Sequence, residues 1–474
     1  MGAGQLEPNP WMMLPFGLLL VLVALAPLLF PSWWGRHCPK VVFALTLIVL
    51  AYYLVGLHAA EHVARTAHEY ISFIALIGSL FVVSGGIHLN VKGEATPLVN
   101  TVFLLAGALL ANVLGTTGAS MLLIRPWLRM NKYRITGHHV IFFIFIVANV
   151  GGCLTPIGDP PLFLGYLTGV PFWWVARHCL PMWCVGVGML LLMFLAVDYR
   201  NYLKAPKAVR AEQTAHEQWR FDGLGNLVFL ALILGAVFVN EPPFVRELVM
   251  AGAAIGSYFT THKSVHEANH FTLHPIQEVA ILFVGIFATM MPALDWLEQH
   301  ASGLTEARPG FFYWGAGGLS SVLDNAPTYL CFLKAIFGCC VNPDVVHQVN
   351  ALIQAHGSDL TTLSGVHAAE IRRTFEALQL YHARDLAAGR VGTEEIEVAY
   401  LLGNVIYNNY ILAISIGSVF FGAATYIGNG PNFMVKAIAE HQRVHTPTFF
   451  GFIFKYTVPF LLPVLVVTWW LFFR

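Results

Sequence analysis

The stretch Gly151-Gly152-Cys153-Leu154-Thr155-Pro156-Ile157-Gly158-Asp159-Pro160-Pro161 decides how this chain folds. It interrupts an apolar run, residues 138–168, that is otherwise suited to crossing a bilayer. Glycine lets the backbone leave helical angles, and proline removes donors and clashes with the preceding turn, so no α-helix passes through it. Irregular backbone at membrane depth is tolerated only where it faces protein or a wet cavity. The segment therefore reads as the break in a discontinuous helix.

A second copy lies far down the chain. Thr425-Tyr426-Ile427-Gly428-Asn429-Gly430-Pro431 repeats the pattern Thr-x-Ile-Gly-(Asp/Asn)-x-Pro, identical at four of seven positions, again inside an interrupted apolar run, 400–440. Two further stretches, 98–125 and 310–340, carry polar centres at Gly115-Thr116-Thr117-Gly118-Ala119-Ser120 and at Ser320-Ser321-Val322-Leu323-Asp324-Asn325-Ala326-Pro327-Thr328. Uninterrupted runs cover 11–30, 40–57, 70–88, 179–197, 224–240, 246–261, 278–292 and 450–472. At about 1.5 Å per residue each crosses or nearly crosses a hydrocarbon core about 30 Å thick. The expected fold is all-α and polytopic, with about 11 spanning segments.

Composition agrees. The 474 residues are 57% hydrophobic and 11% charged, where soluble domains carry about 25% charged residues. The 26 basic and 26 acidic side chains cancel, so no whole-chain field argues for nucleic acid as a partner; the lipid bilayer is the expected one. Seven cysteines, an odd number lying mostly in apolar stretches, read as small buried hydrophobes and not as a disulfide framework. Residues 1–10 contain Glu7 but neither Lys nor Arg, so the first apolar run lacks a signal peptide's basic flank and reads as a retained span.

Lys and Arg in short loops stay cytoplasmic. Arg125, Arg129, Lys132 and Arg134 mark one such loop, and Arg200, Lys204, Lys207, Arg210 and Arg220 another. With Lys92 before it and the first basic loop after it, 98–125 has both ends inside and reads as a re-entrant hairpin. Counting onward makes 310–340 a hairpin entered from outside and 400–440 a broken span running inward. The expected organisation is a first span and loop (1–39), a first repeat (40–197), a cytoplasmic linker with a connecting span (198–245), and a second, inverted repeat (246–340 and 399–474). A polar helical insertion at 341–398 is placed on the external face; its periodic stretch Ala368 to Leu386 suggests short amphipathic helices. Inverted repeats with interrupted segments at matching positions mark secondary transporters and point to the substrate site.

The breaks carry the chemistry. Unwound helix ends expose carbonyls, and neutral Thr and Asn oxygens beside them suit a hard cation such as Na⁺. The candidates are Thr116 and Thr117; Thr155, Gly158 and Asp159; Asp324 and Asn325; Thr425, Gly428 and Asn429. A carboxylate near the bilayer centre costs about 2.5–3.5 kcal/mol on insertion scales, which makes Asp159 and Asp324 functional candidates. Proton and Na⁺ would compete for their oxygens. The plainer reading of both is that they cap helices beside proline.

The segments "GTTGASMLLIRP" (115–126), "GGCLTPIGDPPLFLG" (151–165), "SSVLDNAPTY" (320–329) and "TYIGNGPNFM" (425–434) resemble the ion transporter superfamily, nearest to NhaD-type sodium/proton antiporters, over nearly the whole chain. The same superfamily includes citrate and dicarboxylate carriers and arsenite permeases, so fold follows from the resemblance more directly than substrate. The resemblance implies a mobile transport unit, hairpins meeting broken helices at mid-membrane, and a homodimer. The 341–398 insertion departs from the pattern. The expectation is an inner-membrane transporter exchanging Na⁺ (or Li⁺) for H⁺ by alternating access, with no cofactor. The alternative is a sodium-coupled symporter of citrate-type organic anions.

Other features weigh against this or stand aside. His58-Ala59-Ala60-Glu61-His62 fits a His-x-x-Glu-His zinc-hydrolase pattern, with His68 and His88 as further ligands. No transition-metal site is expected, however, and the protein is not expected to be an enzyme. Trp33 and Trp34, Phe172 to Trp174, and Trp469 and Trp470 fall at span ends, where aromatic belts form. Lys334, in the second hairpin, either neutralises Asp324 or reaches to the surface.

Overall fold

The computed structural model describes residues 7–90, 95–132, 134–204, 220–239, 242–304, 307–355 and 365–474; Lys92, Lys207 and Arg210 lie outside the described residues. Within them the chain is helical almost throughout, and eight helices are long and apolar enough to cross a membrane. α1 (Leu14–Leu29) and α2 (Pro31–Ala51) lead in, and α2 is continued by a π-helical turn, Tyr52–Gly56. Leu14, Leu18, Val21, Leu25 and Leu47 point outward from them, as lipid-facing side chains do. α3 runs Ala60–Gly85, earlier than the expected 70–88; its continuation, His88–Asn90, is a short strand paired antiparallel with Arg220–Asp222.

α4 (Pro97–Met130) has the length of one long span, yet it folds back on itself. Asn100 Nδ2 donates to Asn131 Oδ1 at 2.8 Å across 31 residues of sequence, a separation that a straight helix would stretch to about 46 Å. Phe103 stacks on Trp127 at 5.5 Å between centroids. The reversal is at Gly115, with φ 73° and ψ 157°, a conformation that only glycine adopts without strain. A Cβ there would also sit 3.3 Å from the Ile157 carbonyl. The arms 97–114 and 116–130 form the first re-entrant hairpin, slightly longer than the expected 98–125.

The first broken helix follows: α5 (Gly137–Ile146), irregular chain 147–159, and α6 (Pro160–Leu167). Every residue of α5 from His138 to Ile146 is buried, as a helix apolar on all sides must be. α7 (Phe172–Lys204) closes the first half. The expected span 224–240 is shorter than anticipated, whereas 246–261 is matched to within a residue at each end. α8 (Asn226–Ala236) and α9 (Val245–Thr260) are about 17 and 24 Å long, with Pro242 and Pro243 in the chain between them. α10 (Lys263–Ala268) is a surface turn before α11 (His274–His300).

The second half repeats the order of the first. α12 (Pro309–Ser320) and α13 (Asn325–Cys340) form a hairpin whose arms meet at Phe312 and Phe332, 6.3 Å apart. α13 then turns by 93° into the insertion, α14 (Pro343–Gln354), α15 (Ala368–Tyr381), α16 (Ala383–Ala387) and α17 (Thr393–Leu402). Val345, Val349, Ile371, Phe375, Leu378 and Ile396 are its buried apolar faces, so these helices are amphipathic as expected. α18 (Val405–Gly422), a break at 423–429, and α19 (Gly430–His441) make the second broken helix; α20 (Phe449–Phe472) ends the fold.

The fold-back is open to a direct test. With the native cysteines replaced, the pair Asn100→Cys and Asn131→Cys should oxidise to an intramolecular disulfide, read as a mobility shift on non-reducing gels. A straight α4 would leave both thiols free.

Candidate functional site

Asp159 is the point at which four interruptions meet. It is 1% exposed and precedes α6 in extended conformation, φ −142° and ψ 142°. Its Oδ1 accepts from Thr116 Oγ1 at 2.8 Å and from Asn429 Nδ2 at 3.1 Å; its Oδ2 accepts from Asn325 Nδ2 at 2.6 Å. Thr116 opens the second arm of the first hairpin, Asn325 opens α13, and Asn429 precedes α19. The carboxylate thus lies among the N-terminal ends of four half-helices, whose peptide dipoles favour negative charge. Its three side-chain donors are all neutral, so the charge is solvated by dipoles and not cancelled by a cation.

The echoed heptapeptides are built alike. Thr155 Oγ1 donates to the Asn112 carbonyl of the first hairpin at 2.6 Å, and Thr425 Oγ1 to the Ser321 carbonyl at the second hairpin's tip, also at 2.6 Å. Gly158 N and Gly428 N each donate to their own heptapeptide's threonine hydroxyl, at 3.2 and 3.1 Å. Asn429 takes φ −155° and ψ 140°, matching Asp159. The Gly158 carbonyl accepts from Thr116 N at 2.8 Å, and a Cβ on Gly158 would lie 2.0 Å from the Gly152 carbonyl. Glycine here is required by close backbone approach.

The expected residues therefore divide. Thr116, Asp159, Asn325 and Asn429 share one hydrogen-bonded centre, while Thr155, Thr425, Gly158 and Gly428 pin the breaks to the hairpins. Thr117 is half-buried and does not bond Asp159. Asp324 is half-buried and accepts from Ala326 N at 3.1 Å as the N-cap of α13, so the capping geometry is the one realised. Asn149 and Asn432 belong to the centre although sequence reasoning passed over them. Asn149 Oδ1 accepts from Asn429 Nδ2 at 3.1 Å, and Asn149 Nδ2 donates to Asn432 Oδ1 at 2.6 Å. Asn432 in turn donates to the carbonyls of Gly422 and Thr425, both at 2.8 Å. Their signal was an asparagine beside each heptapeptide in otherwise apolar sequence.

A second buried polar cluster locks the first hairpin's base. Asp198 of α7 pairs with Arg134 and accepts from Asn100 at 2.9 Å, with His138 and His139 of α5 at 3.3 and 3.1 Å. Arg134 was expected to be a topology signal in a basic loop; it is buried, because the loop folds inward to meet Asp198. Lys334 neither neutralises Asp324 nor reaches out. It is bound at 2.9 Å to Glu298 of α11 and at 2.9 Å to Glu394 of α17. The zinc pattern fails on geometry: α3 starts at Ala60, so His58 lies outside the helix with φ 53° and cannot share a helix face with His62. His62 instead stacks on Tyr53 and faces Asp295 at 3.5 Å. Trp33, Trp173 and Trp470 are exposed at span ends as expected, whereas Trp174 is buried.

Paired hairpins, paired broken helices and a buried polar centre where they meet define a multi-pass membrane protein of the secondary-transporter class. The chain belongs to the family described as "Putative citrate transport" (CitMHS_2), whose model matches residues 5–473. A search of the curated proteins found no match. The family places the protein among secondary transporters of the ion transporter kind, and among transporters rather than enzymes.

Asp198→Asn should be costly. It leaves the buried Arg134 guanidinium without its carboxylate, a loss of about 3–5 kcal/mol. Thermal unfolding of the detergent-solubilised variant should show a clearly lowered midpoint; an unchanged one would remove Asp198 from the hairpin's support.

Proposed function

We propose that the protein is a cation-coupled secondary transporter in which Asp159 alternately holds a proton and Na⁺ (or Li⁺), exchanging one for the other across the membrane. The observation that carries this reading is a single carboxylate, 1% exposed, with neutral oxygen-bearing side chains from three other breaks converging on it. When Asp159 is ionised and empty, Thr116, Asn325 and Asn429 donate to it. When Na⁺ sits against the carboxylate, the two amides turn their carbonyl oxygens toward the ion, and the threonine oxygen and break carbonyls complete an oxygen shell of the kind hard cations prefer. Protonation cancels the charge and releases the ion. Asp324, at the second hairpin's break, adds negative charge close enough to act on Asp159. Movement of hairpins and broken helices against the other helices would expose the centre to either side in turn.

A second reading is favoured by the family itself. Citrate-type carriers must bind carboxylates, and the four half-helix N-termini around Asp159 are suited to that. A cation or proton on Asp159 frees the donors of Asn325 and Asn429, which can then receive a substrate carboxylate. Coupling then arises because the anion site opens only after the cation has bound.

Purified protein in vesicles separates the two. Na⁺/H⁺ exchange appears as collapse of a preset pH gradient on adding Na⁺ without citrate. Symport appears as labelled citrate uptake that requires Na⁺ or a proton gradient. Asp159→Asn should abolish whichever activity is present, reducing it by at least about 100-fold, since an amide can neither bind a proton at working pH nor neutralise Na⁺. Elution as a folded species must be retained. Wild-type transport by this variant would overturn the assignment of Asp159.

A further inference from the structure

The insertion grips the transport hairpin through a charged pocket. Lys334 lies nine residues beyond Asn325 on α13, and its ammonium is shared between Glu298 and Glu394. Glu397, one turn further along α17 from Glu394 and 9% exposed, keeps its Oε2 buried with no hydrogen-bond partner. The charged groups acting on Glu397 are Lys334 of α13, Glu298 of α11, Glu394 of its own helix and Arg65 of α3. Glu394 acts in turn on Glu69, and Asp295 and His62 border the same pocket. Glu69, Asp295, Glu298, Glu394 and Glu397 thus gather around Lys334 and Arg65, an excess of negative charge about a Glu397 that is itself buried.

A buried carboxylate oxygen without a donor is expensive when ionised, and a proton removes the cost. The two carboxylates bound to Lys334 already share its charge, which leaves Glu397 as the group without a close counter-ion. We propose that Glu397 is a proton-binding site that adjusts how firmly the insertion holds the second hairpin. Burial pushes its carboxyl up to about 8, helped by Glu298 and Glu394 and opposed by Lys334 and Arg65. With Glu397 neutral, Lys334 is held by two carboxylates. As pH rises through that value a buried negative charge appears beside Glu298 and Glu394, and the contact that buries Glu397 loosens, so α17 holds α13 less firmly. Faster hairpin movement above that pH is a consequence that rests on the transport reading; proton binding itself does not.

The test uses full-length protein in nanodiscs and infrared titration from about pH 6 to about pH 10, a range that brackets the shifted group and leaves ordinary carboxyls ionised. The difference between wild type and Glu397→Gln should contain a protonated-carboxyl C=O band that disappears with a midpoint near 8. Lys334→Gln should move that midpoint upward, because it removes the cation that favours the ionised form. Glu397→Asp keeps a carboxyl and should shift the band, which serves if the Gln variant does not fold. A spectrum at neutral pH unchanged by both Glu397 substitutions would overturn the proposal, and so would a midpoint indifferent to Lys334.

Discussion

The structure depends on keeping one carboxylate out of water without a cation beside it. Asp159 is stabilised by hydrogen bonds from Thr116, Asn325 and Asn429, each contributing about 1.5–3 kcal/mol when the acceptor is charged. These donors come from three separate interruptions of helical structure, so the two hairpins and the two broken helices must meet there together. The glycines that appear dispensable in isolation are what let them meet: Gly115 reverses the first hairpin, and Gly158 lies against the Gly152 carbonyl.

Around that centre the supports are polar and asymmetric. Asp198, Arg134, Asn100, Asn131 and the two histidines tie the first hairpin's open end to α7 and α5. The second hairpin is tied instead by Lys334 to α11 and to α17 of the insertion. The first lock is a buried ion pair of Arg134 with Asp198, with Asn100 donating to the same carboxylate, so it resists change. The second is a pocket with surplus negative charge, which makes its strength dependent on protons. Two hairpins alike in order are thus held by different chemistry, and the insertion is the source of the difference.

Much of this was legible from residue order. Apolar runs interrupted by Gly, Pro, Asp and Asn sufficed to locate both hairpins and both broken helices, because helix-breaking residues act locally and lipid does not tolerate them without a reason. The matched heptapeptides 155–161 and 425–431 were visible for the same cause. Less visible were lengths: α8 stops at Ala236, short of the apolar run 224–240 that suggested it, since hydropathy does not record where a helix ends. His58 and His62 matched a metal pattern only while they were assumed to share a helix.

By itself, then, the sequence determined that the chain is a membrane-embedded helical protein with four interruptions, and that Asp159 stands in one of them, because periodicity, charge scarcity and backbone breakers are local properties. Tertiary structure alone decided which of the candidate oxygens face Asp159, that Asn149 and Asn432 extend the centre, that Asp324 caps a helix, and that Arg134 and Lys334 are locks for the two hairpins. Those outcomes turn on side chains separated by as many as 283 positions, Asn149 and Asn432 being one such pair. No window of sequence contains both partners of such a bond.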